Sequence, residues 1–231
     1  MQLQDKTAFV KKIQDLVAEK NMLQHPFYRK WNDGKLTKTE LQEYAKQYSH
    51  FMEHFPRFLS AIHSNCENKE VRRTLLANLA DEEGFKTSTA NHPELWENFA
   101  TGLGLSHEEY KNVSLLPETK NLVNGFYQFA KSENYLAGIA AMYAYESQIP
   151  SIAVKKIEGL KAFYGIQEPK TLEFFEVHAE ADVYHSKEEL DILTENATTA
   201  ESQQAVLEAV KTSTELLWKF LDGIYETYCQ N

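Results

Sequence analysis

Helical periodicity is the feature of this sequence that most limits its fold. Apolar residues recur at three- and four-residue spacing along nearly the whole chain, whereas the alternation typical of strands is almost absent. Thr37 with Glu40 and Ser106 with Glu109 form capping boxes, and Asn91 is a further candidate N-cap. The pattern predicts a helix start at Ser106 and helices over about 6–20, 23–31, 37–63, 69–83, 91–104, 117–131, 134–163, 169–194 and 200–228.

No part of the chain reads as a linker or as a repeat. The six prolines and nine glycines fall mostly between the predicted helices, and 231 residues are enough to bury a substantial core. We therefore predict an all-α fold, a helical bundle built as one domain over residues 1–231.

Composition excludes some classes of function. The chain has 24 basic and 34 acidic residues, a net charge of −10, and no basic block, which disfavours nucleic-acid binding. The two cysteines, Cys66 and Cys229, do not form a disulfide framework and suit a reducing cytosol. The most apolar run, YLAGIAAMYAY, is too short to span a bilayer, and the N-terminus lacks the apolar core of a signal peptide. We expect a cytoplasmic protein without a membrane partner.

The predicted helix over 134–163 carries a carboxylate on its apolar stripe. Glu146 follows Met142 and precedes Ile149 at helical spacing, so it should face the core. A buried carboxylate is costly unless it is paired, protonated or bound to metal. Pro150 removes the backbone donor for the carbonyl of Glu146 and predicts a kink beside it. A buried ion pair with arginine or lysine is the alternative interpretation.

The predicted helix over 69–83 ends in the same way. Leu75 and Leu79 mark its apolar stripe, which Glu82 and Glu83 both continue, at three and four residues beyond Leu79. Periodicity does not choose between the two glutamates. A solvated helix end is the alternative interpretation.

The stretch EVHAEADVYH aligns three metal-ligand residue types. His178, Asp182 and His185 are spaced by four and three residues and fall within roughly 60° of helical arc. Three such residues in register favour a metal site over a buried histidine of the core. Glu189 continues the line one turn later, where we expect it to pair with a lysine.

Together these positions predict a metal centre inside the bundle. Two divalent cations would compensate the acidic groups, and carboxylate and imidazole ligands favour iron or manganese. A single iron bound by His178, Asp182 and His185 is the alternative.

The sequence stretches around these positions also resemble those of a known protein family. The stretches MLQHPFYRKW, GKLTKTELQEYAKQY, DEEG, NHPELW, YESQIPSIAVKKIEGL and HAEADVYH are similar to the chlamydial protein associating with death domains and its bacterial relatives. These folate-metabolism proteins belong to the heme-oxygenase-like dimetal oxidases, the group that includes the TenA and PqqC folds. The resemblance covers about residues 20–190.

The resemblance implies a seven-helix heme-oxygenase-like bundle, a homodimer, with two metals (Fe/Fe or Fe/Mn) and no heme. It selects Glu82, the first glutamate of DEEG, over Glu83, and adds His92 of NHPELW. The implied ligand set is Glu82, His92, Glu146, His178, Asp182 and His185. FKTSTA is longer than the family pattern, so this loop should bulge if His92 is to reach the metals.

The resemblance further implies an oxygenase in folate metabolism that uses dioxygen to make 4-aminobenzoate from its own side chains. Tyr28 would supply the ring and Lys156 the nitrogen, with Tyr44 as a radical relay or second aromatic. Burial would lower the pKa of Lys156 and make it a neutral nucleophile.

Two other functions are compatible with these residues. They are a dimetal oxidase acting on a free small molecule, with Tyr28 lining its pocket, and a protein-binding module of the death-domain type. A thiamin-degrading TenA-type hydrolase is disfavoured because IAAMYAYES lacks a nucleophilic cysteine. A cofactorless PqqC-type oxidase would not need six metal ligands.

Overall fold

The computed structural model describes residues 3–85 and 90–230, and within these ranges the chain forms helices and no strands. A 3₁₀ turn at Met22–Gln24 accompanies eleven α-helices: α1 (Lys6–Glu19), α2 (Pro26–Asn32), α3 (Lys38–Asn65), α4 (Lys69–Glu82), α5 (His92–Gly102), α6 (His107–Lys111), α7 (Pro117–Ala130), α8 (Tyr135–Glu146), α9 (Ile149–Phe163), α10 (Pro169–Asn196) and α11 (Ala200–Tyr228). The all-α prediction is confirmed.

The predicted caps start the helices where expected. Thr37, Asn91 and Ser106 each accept a hydrogen bond from the backbone three residues on, and the glutamate there bonds back to the cap. These reciprocal bonds satisfy backbone donors that a helix start leaves unpaired. The cap at Asn91 matters most, because it fixes the first residue of α5, which is His92.

The prediction of one kinked helix over 134–163 is wrong, because the chain forms two helices there. α8 ends at Glu146 and α9 begins at Ile149, which places Pro150 in the first turn of α9, where a missing N–H costs nothing. The side chain of Gln148 stabilises the break by accepting from the Met22 amide and donating to the Ala144 carbonyl. This break and the short helices α2 and α6 make the helices more numerous than the seven expected.

α8 is the central element of the bundle. Every residue from Leu136 to Glu146 is buried, and the helix packs against α3, α7, α10 and α11. Gly138 permits the approach of α3, because a Cβ there would lie 2.6 Å from Ile62 Cγ1. Glu146 is the last residue of this buried helix and is itself fully buried, so its carboxylate lies in the interior.

No helix among the described residues combines the length and apolar character needed to cross a membrane. The organisation of 1–231 as one domain stays a prediction.

Candidate metal centre

The six side chains of the implied ligand set converge on one region of the interior. They come from the end of α4, the start of α5, the end of α8 and the middle of α10, and none is more than 5% exposed. Their nitrogen and oxygen atoms form two groups, each with ligand atoms within 4.8 Å of one another: a first group of Glu82, His92 and His178, and a second group of Glu146, Asp182 and His185.

The end of α4 decides between the two glutamates that periodicity left open. Glu82 is 1% exposed and faces the interior, whereas Glu83 faces solvent. The chain then turns at Gly84, which has a φ of 78°. A Cβ on Gly84 would lie 2.8 Å from the carbonyl oxygen of Ala90. The two ends of the connection therefore meet and bring His92 beside Glu82, while residues 86–89, where we expected a bulge, lie outside the described residues.

In the first group the two histidine rings face one glutamate. His92 Nδ1 lies 2.9 Å from Glu82 Oε1, and the His92 and His178 ring centroids are 4.4 Å apart. His178 Nδ1 donates to the Phe174 carbonyl over 2.7 Å. This bond fixes the tautomer that leaves Nε2 as an acceptor, as is usual for histidines that bind metals.

In the second group α4 orients the ligands. His185 Nε2 lies 3.1 Å from Asp81 Oδ2, and its Nδ1 lies 3.5 Å from Asp182 Oδ1. Donation from Nε2 to Asp81 leaves Nδ1 directed at the group. Asn78 donates to Glu146 Oε1 over 3.1 Å. Sequence reasoning missed both supporting residues, although Asn78 stands on the apolar stripe of α4, four residues before Glu82, and could have been noticed.

Burial and neighbouring charges raise the pKa values of all three side chains of the second group, so each binds a proton more tightly than it would in water. Burial and the nearby Asp182 raise the pKa of Glu146 to about 8, and burial raises the pKa of Asp182 to about 6. Burial alone would lower the pKa of His185, but Asp182 and Glu146 outweigh it and raise that pKa to about 10. Bound cations would replace these protons.

The unpaired atoms of the centre fit bound metal. Buried polar atoms are normally hydrogen-bonded. Three ligand atoms nevertheless have no hydrogen-bond or ion-pair partner among residues 3–85 and 90–230: Glu82 Oε2, Nε2 of His92 and Oδ2 of Asp182. Oxygen and imidazole nitrogen atoms arranged in two groups of three suit two divalent cations, so the donor set fits the implied dimetal centre.

The prediction that Glu189 pairs with a lysine is wrong. Glu189 is 3% exposed and forms no ion pair within the described part of the chain. Its carboxylate lies beside that of Glu146, and burial together with this neighbour raises its pKa well above the usual range. Periodicity correctly placed Glu189 on the buried edge of α10, but it did not reveal which element faces that edge.

A second buried site surrounds the predicted lysine. Lys156 Nζ donates to Tyr44 Oη over 2.6 Å, and Tyr44 Oη lies 3.1 Å from Tyr28 Oη. We call this site the Lys156 chamber. Its walls are six rings whose centroids lie within 5.5 Å of Nζ: Tyr28, Trp31, Tyr44, Tyr48, Trp96 and Phe175. The structure thus brings together all three residues predicted from the resemblance.

Burial controls the charge of this lysine. Ring faces attract an ammonium ion, yet burial lowers the pKa of Lys156 well below its usual value. Burial also raises the pKa of Tyr28, so its phenol stays protonated. The adjacent Lys155 is exposed and pairs with Glu158 over 2.7 Å.

A series of tyrosines connects the chamber to the metal centre. The rings of Tyr44 and Tyr48 stack at 5.5 Å, and the hydroxyls of Tyr48 and Tyr145 are hydrogen-bonded. Tyr145 directly precedes Glu146 of the second group. Contacting tyrosine side chains therefore extend from the chamber to the residue that precedes Glu146 on α8.

Known proteins are similar to this chain over most of its length. The model of a family described as iron-containing redox enzymes matches residues 42–218. The chain is 43% identical to a 4-aminobenzoate synthase of Nitrosomonas europaea, over 96% of this chain and 93% of that protein. It is 40% identical to a 4-aminobenzoate synthase of Chlamydia muridarum, over 94% and 90%. These chlamydial and bacterial relatives confirm the resemblance on which the ligand set was transferred.

The fold also has solved counterparts. A TenA homologue of Pseudomonas syringae pv. tomato superimposes with a TM-score of 0.80 at 19% identity, covering 95% of this chain and 92% of that one. The match confirms the heme-oxygenase-like, TenA-like fold. The chain belongs to the family of iron-containing redox enzymes.

Proposed function

We propose that the protein is a 4-aminobenzoate synthase that consumes its own Tyr28 and Lys156 in a reaction with dioxygen at a two-metal centre. The names of its relatives support the activity. The observation that carries the assignment of residues is the Lys156 chamber, where a buried lysine nitrogen is linked through the Tyr44 hydroxyl to the Tyr28 hydroxyl.

The metals would be held by the two groups of the candidate centre, as Fe/Fe or Fe/Mn, with no heme. Carboxylate and imidazole donors suit these ions better than they suit thiolate-seeking metals. When bound, the ions supply the reactivity toward dioxygen that oxidative cleavage of a tyrosine side chain requires.

The atoms of the product fit these two residues. 4-Aminobenzoate has six ring carbons, one carboxyl carbon and a nitrogen opposite it, which match the ring and Cβ of a tyrosine with its hydroxyl replaced by nitrogen. The Cα–Cβ and phenol C–O bonds of Tyr28 and the Cε–Nζ bond of Lys156 would break; dioxygen would oxidise Cβ to the carboxyl carbon, Nζ would bond to the ring carbon, and the phenol oxygen would leave as water. Lys156 Nζ lies at the hydroxyl end of Tyr28, through Tyr44, which is the end that must gain nitrogen.

The residues of the chamber prepare both reactants. Burial lowers the pKa of Lys156 and so favours its neutral, nucleophilic form, while the surrounding rings exclude water from the reaction. Tyr44 orients both reacting groups through its hydroxyl. Tyr48 and Tyr145 extend the contact toward α8 and offer a route for electrons and protons between the chamber and the end of that helix.

A variant series tests the proposal. Tyr28→Phe protein, loaded with iron and manganese and given reductant and dioxygen, should release no 4-aminobenzoate. Tyr184→Phe is the matched control, since Tyr184 is 70% exposed, and it should release as much as the wild type. Release by Tyr28→Phe protein at the wild-type level would refute the role of Tyr28.

A groove supports a second candidate function. A cavity of about 470 Å³ between α4 and α10 is lined by Asn78, Asp81 and His185 and gives access to the second group from outside. This site would suit a dimetal oxidase acting on a free small molecule, with Tyr28 intact. Such an enzyme would make many product molecules per chain from an added compound, whereas the proposed synthase makes one at most.

Homodimer formation and a cytoplasmic location stay predictions from the resemblance and the composition. Light scattering of the purified protein would test the first.

A further inference from the structure

The helix that carries Tyr28 begins at a buried histidine. His25 is 0% exposed and is the N-cap of α2, where its Nδ1 accepts a hydrogen bond from the Phe27 amide over 3.1 Å. Its Nε2 lies 2.9 Å from Asp222 Oδ1 on α11. Helices usually begin at serine, threonine, asparagine or aspartate, so a buried histidine in this place indicates a further role.

The two hydrogen bonds of His25 determine the state of its ring. A ring nitrogen that accepts from an amide carries no proton, so the proton is on Nε2 and is donated to Asp222. Burial lowers the pKa of His25 and so favours the neutral ring that these two bonds require. Because both nitrogens are engaged, neither is available for proton transfer to a reacting group. The ring can hold the start of α2 in place instead.

α2 needs such an anchor because it is short. Its seven residues, Pro26–Asn32, are fewer than an isolated helix needs to be stable in water, so contacts with other helices must fix it. Beside its bond to Asp222, the His25 ring packs edge-on against Trp218 of α11, with centroids 4.7 Å apart. The first turn of α2 is therefore attached to α11, and Tyr28 belongs to that turn.

Tyr28 is consequently held on both sides of the bond that the proposed reaction breaks. Its hydroxyl lies 3.1 Å from Tyr44 Oη, which fixes the ring, and the His25 cap fixes the amide of Phe27, the residue before it. We infer that His25, kept in one tautomer by Asp222, is a positioning residue that aligns Tyr28 for cleavage of its Cα–Cβ bond. This inference rests on the proposed function, in which Tyr28 is consumed.

Single-turnover rates of 4-aminobenzoate release test the inference. His25→Ala protein should bind as much metal as the wild type but release product about a hundredfold more slowly, the effect expected of a small misplacement of a reacting group. Ser106→Ala is the matched control, because it also removes an N-cap, that of α6, which has no residue in either site. It should melt at a lower temperature, as His25→Ala should, yet release product at the wild-type rate.

Conservative variants separate positioning from a general loss of stability. Asparagine is a good N-cap, so His25→Asn should recover part of the lost rate. Asp222→Asn keeps an oxygen atom that can accept from His25, whereas Asp222→Leu does not. The leucine variant should release product about tenfold more slowly than the asparagine variant, because it has lost this hydrogen bond. The Asp222 side chain is 42% exposed, so both of its variants should fold even if His25→Ala does not.

A fluorine signal reports the position of Tyr28 without any turnover. A ring-fluorinated tyrosine in place of Tyr28 should give one sharp fluorine resonance in the otherwise unchanged metal-free chain and in the Ser106→Ala control. In His25→Ala or Asp222→Leu protein the resonance should shift or split, because the start of α2 is no longer fixed. A loss of stability alone would not move this resonance while the protein stays folded.

The outcomes separate this inference from the proposed function. Control-like rates and spectra in the His25 and Asp222 variants would overturn the positioning role and leave the synthase proposal standing. A slow His25→Ala protein with an unchanged fluorine resonance would also overturn it, because the loss would not act through Tyr28. Wild-type protein that forms no 4-aminobenzoate would overturn the synthase proposal, while the fluorine spectra would still decide whether His25 fixes Tyr28.

Discussion

The metal centre and the Lys156 chamber lie in the same bundle, but they treat buried ionisable groups in opposite ways. The centre gathers carboxylates and imidazoles with several atoms that lack hydrogen-bond partners in the described structure. The chamber holds one amine against six rings, with a single hydroxyl as its hydrogen-bond partner. The centre is built so that cations can balance its charge, whereas the chamber is built so that its amine loses charge.

This difference assigns different chemistry to each region. A cluster of acidic groups that holds protons at neutral pH exchanges them for metal. A lysine without a counter-ion is a free base and a nucleophile, although a lysine in water is neither. Substitutions in one region test whether the other is affected.

The largest effect should follow loss of a first-group ligand. His178→Ala should bind at least one metal ion fewer, and 4-aminobenzoate release should fall by about a thousandfold or more. Metal analysis and product assay measure the two effects. His107, with a side chain that is 73% exposed, gives the control variant His107→Ala, which should bind and release normally. Full metal content in His178→Ala protein would contradict the assignment.

Substitution of Lys156 should separate the two regions. Lys156→Arg forces a permanent charge into the chamber and should lower the free energy of unfolding by about 3 kcal/mol. Lys156→Met retains the length without the charge and should be as stable as the wild type or more so. Both variants should bind two metals and release no product.

Thermal melting and metal analysis check these outcomes, and Lys155→Met serves as the exposed control. Normal product release by the methionine variant would remove the lysine from the reaction.

The free energy of unfolding of the metal-free protein should depend on pH, because Glu146 of the second group binds a proton more tightly in the folded state. Folding raises the pKa of Glu146 from 4.5 to about 8, so the folded state holds this proton more tightly than the unfolded state. The resulting stabilisation is complete below about pH 4.5 and is lost as the pH rises through 8.

Glu146→Gln protein has no carboxyl group at this position, so its stability does not fall in this way as the pH rises. Its free energy of unfolding relative to the wild type should therefore increase between pH 5 and pH 8, by on the order of 3 kcal/mol. Urea unfolding of the two metal-free proteins at several pH values measures the difference. A difference that stays constant with pH would show that Glu146 is not protonated in the folded state.

The smallest effect should come from the contact between the regions. Tyr48→Phe keeps the ring but removes the hydrogen bond to Tyr145. Metal content should not change, and stability should fall by about 1 kcal/mol. Product release should slow by about tenfold or more if the tyrosine series carries electrons and protons.

Tyr127→Phe removes a comparable hydrogen bond, to His54, outside the series and provides the control. Equal rates in the two variants would show that the regions do not communicate through Tyr48.

The sequence predicted the parts of this comparison that depend on local spacing. The ligand edge of α10 and the buried position of Glu146 follow from helical periodicity. The start of α5 at His92 follows from its cap, whereas the metal role of His92 came only from the resemblance. The choice of Glu82 over Glu83 also required the resemblance, because both continue the same stripe.

The features that were missed depend on contacts between distant segments. The break after Glu146 is stabilised by Gln148 reaching Met22, a residue 126 positions away. A proline such as Pro150 is compatible with either a kink or a helix start, so local sequence does not decide. The carboxylate beside Glu189 is that of Glu146 on α8, and periodicity in α10 does not reveal this neighbour. The chamber of Lys156 is likewise assembled from rings on α2, α3, α5 and α10.

Mass spectrometry of the reacted protein, both intact and after digestion, tests the central claim most directly. Wild-type protein is incubated with iron, manganese, reductant and dioxygen, digested and mapped beside an anaerobic sample. The account predicts a mass loss at Tyr28, a change at Lys156 and at most one 4-aminobenzoate per chain, all dependent on dioxygen. A chain of unchanged mass that releases several molecules of 4-aminobenzoate would contradict it.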